Sequence, residues 1–282
     1  MQNKRKPRIL VTNDDGVESA NIHALAKALA PYGEVFVFAP ESEQSGVGHA
    51  FTIRRSLSVK ELKARVFDEK IAYRVFSVSG TPSDASKFAL GHFAGVFFGE
   101  DASALNGEPS KDIHGNSTFD VVFSGVNVGE NSGVSSHYSG TVAGAREGAL
   151  WGVPSIAISL SVGGESLLPR ALEFAQRIVC EGLYRKMPPH TLWNVNFPKS
   201  ADGTFAGFKA AKMSLEMFTD HYDRISDGDC RWQLDGVKLW NKAPIDSDDY
   251  LLDSGFATIT PQTIDVTDLK SLEIISEIVE VN

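Results

Sequence analysis

Four short apolar runs punctuate the first two thirds of the chain, and each gives way to polar, glycine-rich or serine-rich sequence. Ile9–Thr12 runs into Asn13-Asp14-Asp15-Gly16, and Val35–Ala39 into Pro40-Glu41-Ser42-Glu43-Gln44-Ser45-Gly46. Val121–Ser124 runs into Gly125-Val126-Asn127-Val128-Gly129, and Ser155–Ser159 is followed by Leu160-Ser161 and Gly163-Gly164. Short runs of this kind, rich in β-branched residues and closed by turn formers, read as buried strands. Helical stripes separate several of them. Ile22, Leu25, Ala26 and Leu29 share one face of a helix near Asn21–Ala30, and Leu168, Leu172, Ala175 and Ile178–Val179 mark another within Leu167–Tyr184. Ser139–Trp151 is rich in small residues, which suits close packing on a sheet. Strands alternating with helices predict right-handed βαβ crossovers and an α/β fold with a mostly parallel sheet flanked by helices.

The period changes between the second and third runs. Phe51–Val59 and Arg65–Val78 read as a hairpin or meander over about 51–78, with strand-like alternation in Ala72-Tyr73-Arg74-Val75-Phe76. A helix is expected from Thr81-Pro82-Ser83-Asp84, where Pro82 suits the first helical position and Thr81 can cap it. Gly99–Ser117, with Asn106-Gly107, Pro109 and Gly115, reads as a surface loop. After Phe197-Pro198 the βαβ rhythm is lost. The chain therefore divides into an α/β core over 1–198 and a β-rich C-terminal extension over 199–282. The extension is expected as strands or arms outside the main sheet, packed on the core or on a partner subunit.

Composition narrows the function. A hydrophobic share of 42% and a charged share of 22% over 282 residues are those of a globular protein. A net charge of −9 argues against binding nucleic-acid polymers or acidic membranes, which needs basic surface. It does not exclude a small anionic substrate, because one divalent ion reverses the sign of a local site. Two cysteines, Cys180 and Cys230, with no CxxC pattern suit a reducing cytosol and argue against structural zinc. With no secretory signal pattern and no long apolar segment, the expected location is the cytoplasm.

The ends of parallel strands converge in space, and here they bring Asp14, Asp15, Ser45 and Asn127 to one rim. Two adjacent carboxylates repel each other, and in a partly desolvated crevice one stays protonated unless a cation compensates. Gly16 supplies the backbone freedom for both to face one ion. Asn-Asp-Gly is also ordinary turn chemistry, so the tetrapeptide alone reads as a solvated acidic turn as well. The whole set offers oxygen ligands only, which selects Mg2+ or Mn2+ over zinc. Tyr138-Ser139-Gly140-Thr141 opens the small-residue helix, where backbone N–H groups and hydroxyls form either an anion site or an ordinary cap. His49 lies near the rim, as a proton donor or phosphate-orienting group or as a structural residue. His92, His114, His190 and His221 show no partner pattern, and Asp248-Asp249 reads as a solvated loop. No G-x-S-x-G elbow surrounds Ser139. These parts fit metal-assisted phosphate-ester hydrolysis, with Asp14 or Asp15 orienting or deprotonating the attacking water.

At these residues the chain resembles the survival protein E (SurE) family. The resemblance rests on Ile9-Leu10-Val11-Thr12-Asn13-Asp14-Asp15-Gly16, Ala39-Pro40 through Ser45-Gly46-Val47-Gly48-His49, and Gly80-Thr81-Pro82-Ser83-Asp84. It continues through Ser124-Gly125-Val126-Asn127-Val128-Gly129-Glu130-Asn131, Tyr138-Ser139-Gly140-Thr141-Val142, Pro154–Ser159 and Gly255–Pro261. It implies a Rossmann-like core with an extension exchanged between subunits, giving homodimers or homotetramers. The implied activity is hydrolysis of nucleoside 5′- or 3′-monophosphates, and of short polyphosphate in some members, with one divalent ion such as Mg2+ or Mn2+ per subunit. By the same resemblance the metal ligands fall on Asp14, Asp15, Ser45 and Asn127, with Asp14 and Asp15 catalytic. The phosphate contacts fall on Asn13, Ser139, Gly140 and Thr141.

Two departures stand out. Ser135 replaces an acidic residue common in the loop before Tyr-Ser-Gly-Thr, and the stretch 99–117 is longer than its usual counterpart. Two other readings compete. A receiver-like signalling module also carries an acidic pair after its first strand and binds Mg2+. It needs a phospho-accepting Asp and a Lys after later strands, where this chain has Ser124-Gly125-Val126-Asn127 and Ser159-Leu160-Ser161. A dinucleotide-dependent enzyme needs a GxGxxG turn, which the chain lacks.

Overall fold

The computed structural model describes residues 5–68, 71–94, 119–216, 218–225, 230–239 and 242–280. The loop expected at 99–117 lies outside these residues. Strand β1 (Arg8–Thr12) is followed by helix α1 (Ala20–Leu29), then β2 (Glu34–Pro40), β3 (Val59–Asp68) and β4 (Ile71–Val78). Helix α2 (Pro82–Lys87) continues into a wider π-type turn, Phe88–Phe93. Then come β5 (Val121–Val128), α3 (Gly140–Leu150), β6 (Ser155–Leu160), α4 (Leu168–Cys180) and β7 (Thr191–Phe197). The C-terminal part holds β8 (Phe208–Ala210), β9 (His221–Arg224), β10 (Trp232–Asp235), α5 (Asp248–Asp253), β11 (Ala257–Thr263) and α6 (Leu269–Glu280).

Nine strands form one sheet in the order β3-β4-β2-β1-β5-β6-β7-β11-β8. From β4 to β7 every neighbouring pair is parallel. The chain leaves β1 toward β2 on one side and returns at β5 on the other. The β1/β5 boundary is therefore the topological switch point, where open α/β sheets leave a crevice beyond the strand ends. Strand residues alternate between faces and build a core on each. Ile9, Val11, Val35 and Val37 pack with Ile22, Leu25, Leu29, Ala171 and Ile178 beneath α1 and α4. Leu10, Phe36 and Phe38 pack with Ala85, Ala89, Leu90 and Phe93 on the other face. The sheet is thus buried on both sides, as parallel sheets are.

Helix α3 lies against the sheet as closely as its composition permits. A Cβ at Gly148 would stand 2.3 Å from Ser155 Oγ, and one at Gly144 would stand 2.7 Å from Thr12 Cγ2. Helix α2 begins with the expected device. Thr81 Oγ1 accepts the Asp84 N–H at 3.1 Å, and the Asp84 carboxylate accepts the Thr81 N–H at 2.9 Å. Asp84 also accepts from Thr52, backbone and hydroxyl, at 2.7 and 2.8 Å, which ties residues 51–58 to the helix. That segment is not a strand; the antiparallel pair of the hairpin begins only at Val59.

The C-terminal extension differs from expectation in a second way. β11 pairs antiparallel with β7, and β8 pairs parallel with β11, so both belong to the main sheet. Pro261 of β11 is tolerated because β8 no longer pairs beyond Ile259. The β9–β10 hairpin forms its own two-stranded sheet, and α6 exposes Leu269, Leu272, Ile275, Ile278 and Val279. Among the described residues no helix is long and apolar enough to cross a membrane.

Candidate active site

The acidic pair sits where β1 ends at the switch point. Asn13 Nδ2 donates to the Gly16 carbonyl at 3.0 Å, closing the turn, and Gly16 adopts φ +99°, a conformation L-residues rarely take. The loop after β2 folds over this turn: the Gln44 N–H donates to the Asp14 carbonyl at 2.7 Å and the Val17 N–H to that of Pro40 at 2.8 Å. On the other side, the β5/β6 register shifts between Gly125 and Asn127, an irregularity that re-aims the end of β5 toward the crevice. Asp14, Asp15, Glu43, Ser45, Asn127, Ser135, Tyr138, Ser139 and Phe218 line the resulting cleft of about 380 Å3.

Electrostatics mark the same place. Asp14 is 6% exposed, and burial raises its pKa despite hydrogen bonds from Thr141. Its Oδ1 takes a short hydrogen bond from the Thr141 hydroxyl at the N-terminal turn of α3, where the helix dipole favours a carboxylate. Asp15 is pushed up to about 6, first by burial, then by the charges of Asp14 and Glu43. Helix α3 can come this close only because residue 140 is glycine: a Cβ there would stand 2.7 Å from Asp14 Cβ.

All four expected metal ligands face this one cleft. Ser45 Oγ donates to Glu43 Oε1 at 2.6 Å, and Asn127 Nδ2 donates to the Gly129 carbonyl at 2.7 Å. Those bonds leave lone pairs of the Ser45 hydroxyl and the Asn127 amide oxygen available to a cation. The donor set is hard oxygen throughout, and burial together with the charges of Asp14 and Glu43 raises the Asp15 carboxyl. The residues therefore fit a Mg2+- or Mn2+-type ion.

Of the expected phosphate contacts, only Ser139 lines the cleft. Asn13 is fully buried and holds the turn, Thr141 is engaged by Asp14, and Gly140 provides the clearance. Ser139 caps α3 by accepting the Val142 N–H at 3.1 Å. His49 does not line the cleft. Its Nε2 lies 3.0 Å from Glu147 Oε2, and Glu147 also accepts from Lys87 and Trp151. Burial alone would raise the Glu147 pKa, but those hydrogen bonds and the Lys87 charge hold it low.

Glu43 is the site residue that sequence reasoning missed. Its one signal is an acidic residue two positions before Ser45 in the strand-end loop. Asp248 and Asp249 are not a solvated loop: they are 0% and 1% exposed. Asp248 accepts the Gly133 and Ser214 N–H groups, each at 2.9 Å, and Asp249 pairs with Lys238 Nζ at 2.7 Å. His221 does have partners, since it lies with Asp223 and Asp235 on the exposed β9–β10 hairpin. A larger hollow of about 650 Å3, lined by Phe174, Trp193, Phe205 and Phe208, is apolar, and its carboxylate Glu173 is paired with Arg170.

A mostly parallel α/β sheet with carboxylates at its switch point, facing a helix N-terminus, defines the class of Rossmann-like proteins that bind a ligand beyond the strand ends. The sequence model of Survival protein SurE matches residues 9–220. "5′-nucleotidase SurE 1" of Thermus thermophilus is 37% identical over 276 residues, covering 97% of this chain and 98% of that protein. "5′-nucleotidase SurE" of Pseudothermotoga lettingae is 32% identical over 273 residues, covering 96% and 94%. The crystal structure of the SurE protein from Aquifex aeolicus superposes with a TM-score of 0.70 at 28% identity, covering 96% of this chain and 99% of that one. The chain belongs to the SurE family.

Proposed function

We propose that the protein is a divalent-metal-dependent phosphatase that hydrolyses nucleoside 5′-monophosphates, and with them 3′-monophosphates and short polyphosphate. The observation that carries this reading is the Asp14–Asp15–Glu43 cluster at the switch point, in a chain similar over nearly its whole length to proteins named 5′-nucleotidases. Asp14, Asp15, Ser45 and Asn127 would hold one Mg2+, Mn2+ or similar ion. Such an ion polarises a phosphoryl oxygen and acidifies water, an effect of several kcal/mol (roughly). The chain supplies the rest. Thr141 donates to Asp14 Oδ1 and fixes the orientation of that carboxylate. Asp14 or Asp15 is placed to orient the attacking water and accept its proton. Ser139, at the mouth of the α3 dipole, is placed to donate to a phosphate oxygen.

The exposed apolar residues of α6, together with Tyr222, Trp232 and Leu234 of the hairpin, support a homodimer or homotetramer. The receiver-like reading is not favoured, because Asn127 and Ser161 stand where that class needs its phospho-accepting Asp and its Lys.

The test is phosphate release from 5′- and 3′-nucleotides and polyphosphate with Mg2+ or Mn2+, before and after chelation. Asp14→Asn and Asp15→Asn should each abolish turnover with the circular dichroism unchanged. Full activity in both variants, or after exhaustive chelation, would refute the reading.

A further inference from the structure

The loop between β2 and β3 brings Glu43 and Ser45 into the cleft. Just after Ser45 it stands clear of the rest of the molecule: Gly46 adopts φ +71°, and a Cβ there would meet no atom within 4 Å. The loop is fastened on either side of that gap. Before it, the Gln44 N–H donates to the Asp14 carbonyl at 2.7 Å. After it, the Gly48 N–H donates to the Tyr138 carbonyl at 2.9 Å, and His49 Nε2 lies 3.0 Å from Glu147 Oε2. Thr81 Oγ1 then donates to the Ala50 carbonyl at 2.7 Å, and Thr52 is held by Asp84.

The His49 fastening is built around a buried charge. The Glu147 side chain is 4% exposed, and its carboxylate also accepts from Lys87 Nζ at 3.0 Å and Trp151 Nε1 at 3.1 Å. A carboxylate only accepts, so Nε2 of His49 carries the hydrogen. The three donors offset the desolvation of a charge that an apolar residue at this position would not incur. What the charge adds is direction: it holds the residue-49 end of the loop at one point on α3. In the first turn of the same helix, Thr141 donates to Asp14. Helix α3 is thus the common frame for Asp14 and for the loop that brings Ser45.

We propose that His49 and Glu147 are positioning residues for the cation site: their bond sets residues 45–49 on α3, so that Ser45 already stands at the acidic rim when a divalent ion arrives. This rests on the metal-dependent reading above. Neither residue lines the cleft, so neither acts on the substrate directly. A ligand on a loose loop must be ordered when the ion binds, and that entropy cost lowers affinity; a loop ordered by folding escapes it. The bond therefore acts on metal affinity before it acts on the chemical step.

The experiment measures the Kd of Mn2+ alone, without nucleotide, from the electron paramagnetic resonance signal of the free ion. The His49 side chain is 26% exposed, so replacing it leaves the core intact. His49→Phe, which keeps ring volume without the donor, should raise that Kd about tenfold, and His49→Ala should do the same. His49→Gln, which carries an amide N–H at comparable reach, should restore most of the affinity. In hydrogen exchange the Gly48 amide should lose protection in His49→Phe and regain it in His49→Gln. A Kd unmoved in both His49→Phe and His49→Ala overturns the positioning role alone, even where the thermal midpoint falls, since a merely structural bond gives that pattern. A Kd raised as far in His49→Gln as in His49→Phe overturns it too, because the donor is then not what holds the loop. Wild-type protein that binds no Mn2+ overturns the metal-site reading and the positioning role with it.

Discussion

Replacing Asp15 by Asn should stabilise the metal-free protein, and only above a defined pH. The Asp15 carboxyl rises from its ordinary 3.8 to about 6 through burial and the charges of Asp14 and Glu43. A shift of that size corresponds to about 3 kcal/mol. The side chain is only half-buried, and solvent screening reduces the figure to about 1–2 kcal/mol. Because the folded-state pKa is raised, the protonated form is compatible with the fold. Its contribution is fully present below 3.8 and is lost as pH rises through about 6. Asn imitates the protonated acid at every pH. In chelator, thermal unfolding of Asp15→Asn should therefore match wild type at pH 4 and exceed it above pH 7 by about 2–6 °C. Saturating Mg2+ or Mn2+ should reverse that order, because a ligand at a hundredfold its Kd adds about 2.7 kcal/mol to the wild type. A stability difference independent of pH, or a variant less stable than wild type at pH 8 in chelator, would refute the reasoning.

Two further substitutions probe the frame. Gly140→Ala puts a Cβ 2.7 Å from Asp14 Cβ, so it should cost about 1–3 kcal/mol in urea unfolding and depress nucleotide turnover by displacing the acid. Turnover equal to wild type would show that the α3 N-terminus tolerates a shift. Lys238→Met alone strands a carboxylate that is 1% exposed. It should cost about 3–5 kcal/mol in chemical denaturation, much of it recovered when Asp249→Asn is added. Equal losses in the single and double variants would argue against a buried ion pair.

Local signals were the readable ones. The runs of β1, β2 and β6, the stripe of α1 and the capping box at Thr81 and Asp84 each lie within a few residues, where period and cap chemistry act directly. The convergence of Asp14, Asp15, Ser45 and Asn127 was also legible, because parallel strand ends must share one rim. What escaped depends on distant partners. Glu43 carries no mark of its own inside a polar loop. Asp248 reads as a turn acid until Gly133, 115 positions away, is seen to donate to it. β11 contains a proline and pairs antiparallel, so it broke the βαβ rhythm while still belonging to the sheet. His49 sits in sequence beside the rim, but its ring reaches Glu147 on α3 instead.

The junction at Asp248 also has a direction in time. It joins Gly133 to the Ser214 backbone, and Thr260 Oγ1 donates to the same carboxylate at 3.2 Å. At about 5–20 residues per second, the ribosome reaches Thr260 about 6–25 s after Gly133. The strand ends that carry Asp14, Asp15, Ser45 and Asn127 all precede Gly133, whereas Ser214, Asp248 and Thr260 come after it. Synthesis thus lays down the acidic rim first, and only the last contact of the Asp248 junction, from Thr260, waits for β11.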